Sequence, residues 1–230
     1  AKDFSVNQNE KITEGLDGLR ERLKEFSEKG AKFCKWRAVI TIAQDIPSLA
    51  CIESNMNALA RYASLCQENN LVPIVEPEVL INGNHSIEKC DSVTRLSLES
   101  LFNNLKLFDV YLPGTVLKPS MVISGQDNGS RADEQTVSNM TIKCLLDCVP
   151  SDTAGVAFLS GGQTDLEAEQ HLNLINKTSD LPWRVTFSYA RAIQSVALNA
   201  WKGMDSNLIE AQKLLVDRAG RCSKASIAEL

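Results

Sequence analysis

Lys118 closes the run Thr115-Val116-Leu117 and stands directly before Pro119, a residue that ends a strand. A lysine in water is protonated and cannot attack, but burial at an apolar strand end and nearby cations lower its pKa and free the amine. Two cations are available in Lys35 and Arg37, whose spacing of two places both side chains on one face of a strand. Glu76 and Glu78 repeat that spacing with carboxylates, which carry protons. The turn Ser160-Gly161-Gly162-Gln163 offers backbone N–H groups ahead of a helix, a natural phosphate cradle. Arg191, in Ser188-Tyr189-Ala190-Arg191, adds a planar guanidinium fork. One charged residue at a strand end is ordinarily just solvated. Here cations, carboxylates and a glycine turn coincide at strand ends, which points to Schiff-base chemistry on a phosphorylated carbonyl compound.

The elements that position these groups alternate along the chain. Leu16, Leu19, Leu23 and Phe26 recur at helical spacing, with Thr13 as the expected N-cap and Gly30 as the stop. Residues 34–42 have strand character, and Met56, Leu59, Ala60 and Ala63 mark the next helix. Residues 71–76 follow as a strand, although Pro73 and Pro77 each remove a ladder donor. Residues 87–107 and 136–148 are helical, Thr164-x-x-Glu167 is a capping box opening a helix through Ile175, and a last helix covers 208–218. The remaining strands are expected at 111–117, 155–159 and 183–187, and residues 124–131 form a loop within the domain. Val39, Val75 and Val156 are expected to face inward. Strand–helix alternation with apolar strands indicates a parallel sheet covered by helices. No glycine-rich dinucleotide fingerprint follows any strand, which leaves a (β/α)8 barrel with reactive groups at the C-terminal strand ends. Strands recur roughly every 37 residues, so five of the eight units are present and three more would need about 111 residues. The whole chain, 1–230, is therefore expected to be a single partial (β/α) barrel domain.

Composition excludes several other classes. The 230 residues are 43% hydrophobic, enough for a sizeable core, and 24 Lys and Arg against 29 Asp and Glu leave a net charge of −5. With no basic run, nucleic acid is not an expected partner. No apolar stretch approaches a membrane span and no signal-peptide core is visible. Seven cysteines without a Cys-x-x-Cys pair suggest reduced thiols and a cytoplasmic setting, so Asn128, Asn139 and Asn176 are chance glycosylation matches. His85 and His171 are the only histidines, and no metal site is expected.

At these same residues the sequence closely resembles the class I fructose-bisphosphate aldolases. The matching segments include Glu14-Gly15-Leu16-Asp17-Gly18-Leu19, Lys35-Trp36-Arg37, Ala60-Arg61-Tyr62-Ala63, Val72-Pro73-Ile74-Val75-Glu76-Pro77-Glu78, Leu117-Lys118-Pro119-Ser120-Met121, Phe158-Leu159-Ser160-Gly161-Gly162-Gln163 and Phe187-Ser188-Tyr189-Ala190-Arg191-Ala192. The resemblance implies a (β/α)8 barrel that reversibly cleaves fructose 1,6-bisphosphate, with no cofactor beyond a covalent Schiff base on Lys118. It implies Glu76 as the main proton carrier, Glu78 as its support, and Lys35 and Arg37 as substrate contacts. Leu159, Ser160, Gly161, Gly162, Ser188, Ala190 and Arg191 are implied around the phosphate, Ala190 standing where many members have glycine. It further implies a homo-oligomer and an N-terminally truncated sequence, the family's first strands lying upstream of the match. Another Schiff-base lyase, of transaldolase or keto-acid type, would explain the lysine but not these segments. A catalytically impaired chain that only binds sugar phosphate or a partner is the non-enzymatic alternative.

Overall fold

Ser48, Ser86, Asp133 and Thr164 each open a helix in the same way. The side-chain oxygen accepts the N–H three residues on, of Cys51, Lys89, Thr136 and Glu167 respectively. These caps begin α2 (Leu49–Glu68), α3 (Ile87–Leu107), α4 (Glu134–Cys148) and α5 (Asp165–Asn176). At Thr164 both halves of the capping box form, the Thr164 N–H donating to Glu167 Oε2 at 2.8 Å. The computed structural model describes residues 1–178 and 180–230.

Between the helices run the parallel strands β3 (Phe33–Ile40), β4 (Val72–Val79), β5 (Val116–Leu117), β6 (Gly155–Phe158) and β7 (Val185–Phe187). Their order in the sheet is their order in the chain. A doubly wound sheet reverses its strand order at a switch point, whereas a barrel adds each strand beside the last. The architecture is therefore an arc of a (β/α)8 barrel, five strands wide. Register sets the faces: Lys35 pairs with Ile74, Arg37 with Glu76 and Val39 with Glu78, while Val75 pairs with Leu117 and Val156 with Val185. Ala38, Ile40, Val75, Leu117, Val156 and Phe158 are all buried against the helices. The alternate positions form the concave face, where Phe33 and Val72 are exposed. Val75 and Val156 thus lie on the helix side, contrary to the inward placement expected for them. Val39 shares the concave face with Arg37 and Glu78.

β4 extends through both prolines because of where their missing N–H groups would point. Val72 and Leu80 donate to Lys32 and Ile40 on the β3 side, so the odd-numbered positions face β5. β5 pairs only Ile74 and Val75, and Pro73 and Pro77 fall on either side of it. The expected strand at 111–117 is this short because Leu112–Gly114 form a 3₁₀ turn.

Other differences lie at the chain's ends. An antiparallel hairpin, β1 (Lys2–Phe4) with β2 (Asn7–Ile12), precedes the sheet. Its buried Glu10 accepts the Ser48 N–H at 2.6 Å and the Ser48 hydroxyl at 2.7 Å, docking the hairpin on the start of α2. Helix α1 (Leu19–Glu28) begins at a left-handed Gly18 rather than at Thr13. Thr13 Oγ1 instead donates to the Arg37 carbonyl at 2.6 Å. Helix α6 (Arg191–Trp201), absent from the sequence reading, follows β7, and α7 (Leu208–Ala225) runs beyond its expected end at 218.

Candidate active site

β4 lies between β3 and β5, so its concave face brings Glu76 between two lysines. Lys118 Nζ stands 3.3 Å from Glu76 Oε1 and Lys35 Nζ 3.2 Å from Oε2. Neither contact is an aligned hydrogen bond, and among the described residues Oε2 has no hydrogen-bond partner. The carboxylate is held by charge while keeping a lone pair free for an incoming hydroxyl. Glu76 is 4% exposed and the Lys118 side chain 12%, so the amine is largely shielded from solvent but still reachable. One residue pair further along, Arg37 Nε donates to Glu78 Oε2. That bond raises the Arg37 pKa above its ordinary value, outweighing the opposite effect of burial. Cations and carboxylates thus alternate across three strands, with Glu76 facing Lys35 on one side and the Lys118 amine on the other.

The backbone around Lys118 is fastened on both sides. Lys118 N–H donates to Val75 O at 2.8 Å, Ser120 Oγ donates to Val79 O at 2.9 Å, and Leu159 N–H donates to Pro119 O at 3.2 Å. Ser120 went unassigned in the sequence reading. Its only signal was its place two residues after the lysine.

The second cluster forms at the ends of β6 and β7. Gly161 and Gly162 have φ of 56° and 89°, two consecutive left-handed residues closed by a Gln163 N–H to Ser160 O bond of 2.9 Å. A Cβ on Gly161 would lie 2.7 Å from Leu159 Cδ1, and one on Gly162 would lie 3.0 Å from Ile81 Cγ2, so crowding adds to the backbone demand for glycine. Arg191, exposed at the first position of α6, reaches this turn, with Nη2 3.8 Å from where a Gly162 Cβ would be. Ser188 N–H donates to Phe158 O at 2.8 Å and extends β7 beside Leu159 and Ser160. Ala190 caps α6 at φ −106°, a value alanine adopts freely, so it meets no steric demand for glycine. Eleven of the twelve candidate residues lie in or beyond the C-terminal halves of β3 to β7; Lys35 is the exception, the third of the eight residues of β3, and contrary to its expected place at a strand end it reaches Glu76 from within the strand. Lys35, Arg37, Glu76, Glu78 and Lys118 form one group; Leu159, Ser160, Gly161, Gly162, Ser188, Ala190 and Arg191 form the other.

Among the described residues no three His, Cys, Asp or Glu side chains are arranged to hold a metal ion. All seven cysteines are free thiols. Among the described residues no helix is long and apolar enough to cross a membrane.

A parallel barrel arc with a shielded lysine on its C-terminal rim fits a lyase of the (β/α)8-barrel class, and comparison with known proteins gives the family. The family model of the class-I fructose-bisphosphate aldolases matches residues 2–230. A probable class 1 fructose-bisphosphate aldolase of Xanthomonas campestris is 50% identical over 230 residues, all of this chain and 69% of the relative. The cytosolic fructose-bisphosphate aldolase 4 of Arabidopsis thaliana is 47% identical, with 98% of this chain and 58% of the relative covered. The fructose-bisphosphate aldolase of Plasmodium falciparum, solved in complex with TRAP and a small-molecule inhibitor, superposes with a TM-score of 0.96 at 44% identity. That match covers 99% of this chain and 66% of the Plasmodium chain. The chain belongs to the class I fructose-bisphosphate aldolase family, whose members are metal-independent lyases. It spans about two thirds of the length of these relatives.

Proposed function

We propose that the chain carries out the Schiff-base chemistry of class I fructose-bisphosphate aldolase, cleaving fructose 1,6-bisphosphate to dihydroxyacetone phosphate and glyceraldehyde 3-phosphate and catalysing the reverse condensation. The observation that carries this reading is Glu76 held between Lys118 and Lys35 without an aligned hydrogen bond to Oε2. Lys118 Nζ adds to the substrate ketone, and Glu76 protonates the carbinolamine hydroxyl that leaves as water. The resulting iminium draws the electron pair of the adjacent carbon–carbon bond as Glu76 removes the proton of the departing aldehyde's hydroxyl. The enamine left on Lys118 is reprotonated at carbon, and water then releases the second product. Lys35 and Arg37 contact substrate, and Glu78 supports the charge of the site through Arg37. The Ser160–Gly162 turn, Leu159, Ser188, Ala190 and Arg191 hold phosphate. No metal or other cofactor takes part, so activity survives a chelator. The setting is glycolytic and cytoplasmic, with copies of the chain assembling together; the Arabidopsis relative's cytosolic designation supports the compartment.

The test is reductive trapping. Borohydride with dihydroxyacetone phosphate should leave a covalent adduct on the peptide that contains Lys118, read by mass spectrometry, and Lys118→Met should abolish it. An adduct on another lysine would remove Lys118 from this role. The absence of any adduct on the wild-type chain would instead favour a protein that only binds sugar phosphate or a partner.

A further inference from the structure

The two glycines that shape the phosphate turn have no side chains with which to hold their own conformation. The first side chain after them is Gln163, which is 8% exposed and has both ends of its amide engaged by different elements. Its Oε1 meets His171 Nδ1 at 2.7 Å, on the buried face of α5. Its Nε2 donates to Met121 Sδ at 3.7 Å, in the segment three residues beyond Lys118. His171 is 3% exposed, and burial lowers its pKa, which keeps the ring neutral with one N–H to give. With Oε1 as the facing atom, the neutral ring meets it in the tautomer that carries its proton on Nδ1. Packing alone does not require an amide at this position. A leucine would fill the same volume, and a buried amide costs stability unless both of its ends are satisfied. What the amide adds is direction, because it ties the glycine turn at once to α5 and to the strand-end segment that carries Lys118. That segment is also fixed from the β4 side through Ser120 and Val79, by its Pro119 bond to Leu159, and beyond Met121 by Val122 N–H to Thr141 Oγ1 at 3.0 Å and Ile123 N–H to Cys90 Sγ at 3.5 Å, but among these contacts only Gln163 ties it to the glycine turn.

We propose that Gln163 is a positioning residue: clamped between His171 and Met121, it sets the Ser160–Gly162 N–H groups at the distance from Lys118 that a phosphorylated ketone spans. It thereby gives the site its preference for phosphorylated over unphosphorylated ketone. This rests on the Schiff-base reading of Lys118. The experiment is borohydride trapping on the full chain with dihydroxyacetone phosphate and, separately, dihydroxyacetone, recording the half-saturating concentration of each for the Lys118 adduct. In the wild type the phosphorylated ketone should saturate at the lower concentration. Gln163→Leu should shrink that preference by about tenfold, chiefly through weaker saturation by the phosphorylated ketone. His171→Leu should shrink it comparably, the double substitution should add little more, and His171→Gln, which retains a donor, should restore it. Thermal melts of each variant accompany the trapping. A preference unchanged in both Gln163→Leu and His171→Leu overturns the positioning role. So does an equal loss for both ketones with a lowered melting temperature, the mark of a merely structural residue. A wild-type chain trapped by neither ketone overturns the Schiff-base reading itself, and this inference with it.

Discussion

At the residue scale, Glu76 is the proposed proton carrier: Oε1 lies within ion-pair distance of the Lys118 amine, and Oε2, beside Lys35, accepts no hydrogen bond among the described residues. Glu76→Gln keeps the shape of the side chain and removes the proton. Steady-state cleavage should therefore lose about 10²–10⁴-fold in turnover while the half-saturating substrate concentration changes little. A change confined to that concentration would make Glu76 a binding group. His171 supplies a second measurement at this scale. Burial lowers its pKa below the ordinary value, outweighing the opposite pull of Glu167 and Glu134. An unfolded histidine takes up its proton near pH ~6.5, whereas the folded one does so only at lower pH. Between those two values the unfolded chain holds more protons, so stability rises with pH across the window and is lost as pH falls through it. The slope is at most about 1.4 kcal/mol per pH unit for each such group. His85 is shifted in the same direction by burial. Urea melts across this range should show that slope, and His171→Gln should flatten part of it. An unchanged slope would mean that other groups govern the acid limb.

At the scale of elements, α7 is held to the arc through a buried ion cluster. Glu169 on α5 is fully buried, with Oε2 2.9 Å from Arg218 Nη1 and Oε1 accepting from Arg221 Nε at 3.0 Å. Arg218 also donates to the Asp165 carbonyl at 2.9 Å and to the Ala192 carbonyl at 3.3 Å, so one guanidinium joins α5, α6 and α7. Removing Glu169 leaves the buried Arg218 with only the more distant Asp165 carboxylate, 3.8 Å from its Nε, and breaking a buried pair in this way costs about 3–5 kcal/mol. Glu169→Ala should lower the melting temperature by roughly 10 °C in differential scanning fluorimetry. Replacing Glu169 and Arg218 together with Met should recover most of that loss, since an apolar pair of similar volume needs no charge compensation. Equal losses in the single and double variants would show that the cluster contributes through packing rather than charge.

At the scale of the molecule, the sheet is an arc and not a closed ring. Among the described residues β3 and β7 each pair on one side only, and the concave face exposes Phe33 at 62% and Val72 at 39%. Unpaired strand edges beside exposed apolar side chains favour association. The folded chain should bind the dye ANS and scatter more light as its concentration rises. Phe33→Lys should reduce both signals without lowering the melting temperature, because Phe33 contributes little to the core. Undiminished dye binding in that variant would place the accessible apolar surface elsewhere, and the groove between α6 and α7, lined by Leu198, Trp201, Leu208 and Leu215, is where it would be sought.

The amino-acid sequence determined the features that are settled within a few residues of themselves. Strand–helix alternation followed from apolar periodicity, the Thr164 cap from a four-residue pattern, and the chemistry of the rim from the types and spacing of Lys35, Arg37, Glu76, Glu78 and Lys118. Tertiary structure decided whatever depends on which backbone group is taken by a distant partner. Thr13 has the right side chain for a cap, but its hydroxyl is taken by the Arg37 carbonyl, so α1 starts at Gly18 instead. Pro73 and Pro77 survive inside β4 because β5 is too short to ask for their missing donors. The hairpin before α1 rests on Glu10 meeting Ser48, thirty-eight positions away, and has no local signal. Val75 and Val156, expected to face inward, lie on the helix side, because a valine carries no mark of which side a helix will cover. The sharing of Glu76 by two lysines is of the same kind: Lys35 and Lys118 lie on strands that only the sheet makes neighbours of β4. So is the clamp on Gln163, whose partners come from a helix and a strand-end segment that are brought together only when the arc forms.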